Sequence, residues 1–193
     1  MANPNAPFGA RAIGLIGGKP VTAAAAAYSL PSASAGAIGI GSLVKLTGTG
    51  RDVIIAASGD DAIVGVAVGF KWRDVEGNVV YRRNWPTATV TFASEDAEVL
   101  VVDDPQTVFE MQSDATGIAE VDVGQFFAIT VGAPNANGLA QTVATGVTGT
   151  VTTLKLIGLG KRSRAGVQNA YGAYAVGEFM LAEHAYAAKL LAQ

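Results

Sequence analysis

Cysteine is absent from this 193-residue chain, and histidine occurs once, at position 184. Neither disulfides nor thiolate ligands therefore hold the fold, which fits a reducing compartment and redox indifference equally well. A lone imidazole without cysteine cannot build a zinc site of the common kinds, and a Ser-His-Asp triad would rest entirely on His184. Charge is sparse as well: 13 Lys and Arg stand against 16 Asp and Glu, for a net charge of -3. The basic residues are scattered rather than gathered into a stripe. No direct nucleic-acid partner is expected, because phosphate recognition needs concentrated Lys and Arg. Long uninterrupted apolar runs are missing too. The mean hydropathy of +0.34 raises the question of a membrane. The two long charge-free stretches, between Lys19 and Lys45 and between Asp122 and Lys155, are broken by Pro20, Pro31, Gly36 and Gly39, and by Gly132, Pro134, Asn135 and Gly138. A spanning helix needs about 20 strongly apolar residues without such breaks, so no membrane partner is expected. The opening MANPNAPFGAR has no basic region followed by an apolar one, and no secretory signal is expected.

Half of the residues are hydrophobic, enough to bury a core in one domain. Residues 1–18 read as an extended arm: Pro4 and Pro7 forbid an opening helix, Asn3 and Asn5 favour turns, and four glycines loosen the backbone. Such an arm must borrow contacts from its own body or from a neighbouring chain. Residues 19–193 read as a single β-rich domain with an uncertain C-terminal tail, without internal repeats. Its short runs are VKL (44–46), DVIIAA (52–57), AIVGVAVGFKW (62–72), NVVYRR (78–83), ATVTFA (88–93), AEVLVV (97–102) and TVFEMQ (107–112), followed by AEVDV, FFAITV, QTVAT and TVTTLKLIGLG. Many short strands with turn residues between them and no recurrent helix predict antiparallel architecture. Phe70 and Trp72 fall on one face and Lys71 and Arg73 on the other, with Val79 and Tyr81 expected to answer the aromatic pair across a hairpin. The final segment from Gly177 has the composition of a helix, although its start also scans as a strand.

The stretch VLVVDDPQTVFEMQ, Val99 to Gln112, puts two aspartates, a proline and a glutamate inside an apolar run. On a strand Asp103 and Asp104 point to opposite faces, so they do not form an acid/base dyad. Asp104 before Pro105 suits an extended corner. Phe109 and Met111 then share one face, and Val108, Glu110 and Gln112 the other. The reading is strand, corner, strand; a hard-cation site would need more oxygen ligands than these. His184 reads as a structural or surface histidine. Gly158, Gly160 and Lys161 resemble a phosphate loop only superficially, since Arg162 stands where Ser or Thr belongs, and Val44 breaks a dinucleotide fingerprint after Gly39 and Gly41. Lys161, Arg162 and Arg164, like Arg82 and Arg83, read as solvated charges. No catalytic residue, cofactor or metal is expected.

The opening ANPNAPFGARAIG, the segment YSLPSASAGAIGIGSLVKLTG, the region GDDAIVGVAVGF, the stretch VLVVDDPQTVFEMQ and TLKLIGLGKR occur in this order along most of the chain. In this combination the chain resembles the head-decoration, or cement, proteins of tailed bacteriophages. It departs from them at Ser42-Leu43, where the family often has Asp-Pro, and in the alanine-rich end beyond His184. The resemblance implies a non-enzymatic virion protein. It would be made in the host cytoplasm and located on the outer capsid surface, with the major capsid protein and itself, as a homotrimer, for partners. Trimers would sit at three-fold and quasi-three-fold positions and stabilise the head. The fold class expected is mainly β, an antiparallel β-barrel or sandwich (β-tulip or jelly-roll-like) with an extended N-terminal arm. Arm residues Asn3, Pro4, Asn5, Pro7, Phe8 and Arg11 are the expected partner contacts. The alternatives are a glycan- or receptor-binding surface module using Trp72, Tyr81 and Trp85, and a small β-barrel hydrolase using Asp103, Asp104 or Glu110.

Overall fold

The structure, a computed structural model, describes residues 2–18, 25–31, 38–60, 63–85, 97–150, 152–161 and 166–187. Among these residues the chain is mainly β: β1 (Arg11–Leu15), β2 (Ala26–Ser29), β3 (Leu43–Leu46), β4 (Val53–Ile55), β5 (Ile63–Arg73), β6 (Val79–Arg82), β7 (Glu98–Val102), β8 (Thr107–Gln112), β9 (Phe126–Thr130), β10 (Val143–Thr148), β11 (Leu154–Leu159) and β12 (Val176–Leu181). The first sheet has the order β1-β8-β12-β11-β9-β10. The second has the order β2-β7-β5-β3-β4, with β6 paired to the far half of β5. All strand pairings are antiparallel. Single bridges from Ser113 to Ala144 and from Ser29 to Asp52 curve the sheets without closing either into a barrel. This agrees with the sandwich form of the expectation.

Two cores result. Inward side chains of the first sheet, among them Phe109, Met111, Phe127, Leu156 and Phe179, pack with Leu43, Ile63, Val66 and Val102 of the second sheet. The opposite face of the second sheet buries Tyr28, Val44, Val64, Phe70, Val99 and Val101 with Trp72 and Trp85. The second sheet is therefore covered on both faces, which explains why β5 begins as a continuous apolar run and not an alternating one. Burying a Phe fully contributes about 2–3 kcal/mol, so the cores outweigh any single surface contact.

Several segments differ from the sequence reading, each for a local reason. Residues 119–123 (AEVDV) are not a strand. The Asp122 carboxylate accepts the Ala119 N–H at 2.6 Å and closes a 3-10 turn over Glu120–Asp122, leaving Val121 83% exposed. The β5–β6 hairpin forms, but Val80 and Arg82 lie opposite Trp72 and Phe70, while Val79 and Tyr81 face Arg73 and Lys71. The loop is the three residues Val75-Glu76-Gly77, with Gly77 at φ 85°, and a loop of odd length sets even positions opposite even ones, so residues 79 and 81 cannot stand opposite 70 and 72. Within the segment read as an arm, residues 11–15 form β1 by main-chain pairing with β8. The alanine-rich stretch before residue 44 contributes β2, because Tyr28 anchors it in the second core. Residues 176–181 are strand, since Phe179 and Leu181 enter the first core from one face. The run ATVTFA, Arg162, Arg164 and the last six residues lie outside the described residues.

Candidate functional site

The stretch Val99–Gln112 links the sheets. β7 ends in the second sheet, Asp103 to Gln106 turn the chain, and β8 starts in the first. Asp104 Oδ1 accepts the Gln106 N–H at 2.8 Å and the Asp104 carbonyl accepts the Thr107 N–H at 3.0 Å, so this aspartate is spent on its own turn. Asp103 Oδ2 accepts the Tyr28 hydroxyl at 2.7 Å. Burial, the Tyr186 hydroxyl and the Asp103 carboxylate all push the Tyr28 phenol up, while the Arg51 guanidinium lies over its ring at 4.5 Å. Glu110 is 2% exposed on the outward face of β8 and pairs with Arg11 of β1. The three carboxylates of the hydrolase alternative thus serve three different elements. Among the described residues no three His, Asp or Glu side chains form a group suited to a metal ion.

The outward face of β8 carries the arm. Gln112, 1% exposed, uses both ends of its amide: Oε1 accepts the Ala6 N–H at 2.9 Å, and Nε2 donates to the carbonyls of Pro4 (2.8 Å) and Tyr174 (3.0 Å). Asn3 donates to the carbonyls of Ala170 and Ala173 and accepts the Ala170 N–H. Gln141 Nε2 donates to the Pro7 carbonyl at 3.2 Å. The Arg11 guanidinium sits 5.3 Å from the centroid of the Phe8 ring. Where the arm meets the body, Gly9 (φ 71°) and Gly41 (φ 88°) pack backbone to backbone, and a Cβ on Gly9 would lie 2.5 Å from the Gly41 carbonyl oxygen. The Ala10 N–H donates to that oxygen at 2.8 Å. Of the six expected contact residues, Asn3, Pro4, Pro7, Phe8 and Arg11 are engaged with the chain's own body or with each other, and Asn5 is exposed. The clamp residues Gln112 and Gln141 were not singled out in the sequence. The only signal is at Gln112, an amide on the face of β8 that alternation assigns to solvent; Gln141 precedes β10 and carried none.

Beyond β12, residues 182–187 form a strap. The Ala182 N–H donates to the Thr153 carbonyl at 3.0 Å beside the first sheet, and the Ala185 N–H donates to Ile63 of β5 at 2.8 Å. Between them His184 is 5% exposed, with its Nδ1 accepting the Tyr186 N–H at 3.0 Å. Burial pushes this imidazole below its ordinary value. The carbonyl of Val64, the carboxylates of Asp103 and Asp104, and the carbonyl of Asp103 oppose that shift without overcoming it. Of the structural and surface readings of this histidine, the placement fits the structural one.

The remaining candidates separate. Trp72 and Trp85 are buried and meet edge to face at 5.3 Å, leaving Tyr81 as the exposed member of the aromatic trio. Gly158 lies within β11 and Lys161 is exposed past its end. Arg82 and Arg83 are exposed. No helix among the described residues is long and apolar enough to cross a membrane. No protein-family profile, curated protein or solved structure matches the chain.

Proposed function

We propose that this chain is a structural virion protein that binds the outside of a tailed-phage capsid as a cement, in trimers at three-fold and quasi-three-fold positions. The observation that carries the reading is the use made of Val99–Gln112, the most specific of the resembling stretches. Its aspartates build the corner between the sheets, Glu110 holds Arg11, and Gln112 clamps the arm. Asp103, Asp104, Glu110 and Gln112 all serve as scaffolding. The body supplies a rigid platform. The arm, held by a handful of hydrogen bonds and little apolar area, can be exchanged onto the edge strand of a neighbour by main-chain pairing. A standard interface buries roughly 1,600 Å² in total, and linked copies multiply weak contacts through effective concentration. Binding the assembled lattice and not separated subunits stabilises the shell by mass action, with no chemical step.

Heads assembled with and without the chain test this reading. Those carrying it are expected to resist heat and chelation better, and equal resistance refutes the reinforcing role. Deleting Ala2 to Ala10 is expected to lower capsid occupancy while the body stays folded; unchanged occupancy removes the arm from the contact.

A further inference from the structure

His184 occupies an unusual position for a group that titrates near neutrality. It lies where the strap passes from the first sheet to the second, at a parallel bridge to Ile63. Leu181 before it belongs to one core and Ala185 after it packs against the other. An amide N–H can only meet a lone pair, so the Tyr186 bond fixes the neutral tautomer: Nδ1 is bare and Nε2 carries the proton. Nε2 is buried without a hydrogen-bond partner of acceptable geometry. A second proton must therefore enter at Nδ1, where it would point at another donor and end the Tyr186 contact. The same turn is closed by the Ala187 N–H donating to the His184 carbonyl at 3.1 Å and by the Tyr186 hydroxyl, 3.1 Å from the Tyr28 oxygen, whose own proton goes to Asp103.

We propose that His184 is a proton-sensitive latch that keeps the C-terminal strap closed over the seam between the two sheets and lets it open as the surroundings acidify. Charged and titratable groups face it from several elements. The corner presents Asp103 and Asp104, of which Asp103 is engaged by Tyr28 and Asp104 by its own turn. β2 presents Tyr28, over which Arg51 lies, and the strap presents Glu183 and Tyr186. On β3, Lys45 stands opposite Ile63 and is paired with Asp60 at 2.6 Å. The carboxylates favour an imidazolium, yet burial outweighs them. The open strap, with an imidazole of ordinary basicity, then takes the proton more readily than the closed one. Closure is fully favoured above about pH 6.5, and that preference is lost as pH falls toward the depressed value of the closed form.

The chain's single histidine makes the test direct. Imidazole resonances and amide exchange of Ala185, Tyr186 and Ala187 are followed from about pH 7.5 to about pH 5, above the range near 4 where aspartates titrate. The ring is expected to titrate below its ordinary value, with strap protection, corrected for intrinsic exchange, falling several-fold over the same interval while Ala6 and Ala10 of the arm keep theirs. His184→Gln keeps an acceptor for the Tyr186 N–H and removes the titration, so its strap is expected to hold constant protection over this range. A ring titrating at or above its ordinary value overturns the latch, as does strap protection that is flat in the wild-type chain. The same pH profile in His184→Gln overturns it too.

Discussion

The N-terminal arm and the C-terminal strap are fastened to the same two sheets by different chemistry. The arm is held by carboxamides, chiefly Gln112 and Asn3, together with a glycine pair at its root. Carboxamides do not titrate, so these bonds, unlike the Arg11–Glu110 pair farther along the segment, do not change with pH. The strap depends on an imidazole lone pair and a phenol pair, Tyr28 with Tyr186. Both segments are too poor in large apolar side chains to be held by burial, and hydrogen bonds to buried partners decide their position. Such bonds give little net stability each, yet leaving one buried partner unsatisfied costs about 1–3 kcal/mol. One body thus carries an arm tip held by amides that do not titrate and a strap whose fastening includes an imidazole.

The largest effect is expected at the root of the arm. Gly9→Ala puts a Cβ against the Gly41 carbonyl at a positive φ, and denaturant unfolding should show a loss of more than about 2 kcal/mol. Next is Gln112→Ala, which strands the Pro4 and Tyr174 carbonyls and the Ala6 N–H. A loss of about 2 kcal/mol is expected, with faster proteolysis in residues 2–10 and an unchanged strap. If both ends loosen together, the two attachments are not independent. Arg11→Ala leaves the buried Glu110 facing Glu178 across β8 and β12 without its guanidinium. Because Arg11 is half exposed, about 1–2 kcal/mol is expected in a thermal melt, and Glu110→Gln in the same background should recover part of it. Smallest is Asp104→Ala, which removes one exposed turn bond for about 0.5–1 kcal/mol.

How far the sequence foretold this arrangement depends on what each segment leans on. β8 was legible to the residue, because Phe109 and Met111 alternate with polar neighbours and Pro105 marks its start. Asp103 and Asp104 do part, but as corner residues beyond β7 with different partners and not by alternation on a strand. β1 and β2 were not legible, since Arg11–Leu15 and Ala26–Ser29 are strands by virtue of the edges they join and not of their own composition. Residues 119–123 had the alternation of a strand, but one carboxylate reaching back three residues overrode it. The facing pairs of the hairpin turned on the odd length of its three-residue loop, which strand alternation alone does not report. The clamp at Gln112 was hidden because its partners, Pro4 and Tyr174, lie 108 and 62 residues away.

The chain has two tryptophans, and both belong to the second core, where Trp72 and Trp85 meet edge to face. Intrinsic indole emission will therefore see one half of the molecule and be nearly blind to the phenylalanine-rich half. Far-ultraviolet dichroism weighs both sheets together. A red shift of the emission at a lower denaturant concentration than the loss of β signal would mean that the tryptophan core opens first; coincident curves would mean that the sheet between the cores makes them unfold as one.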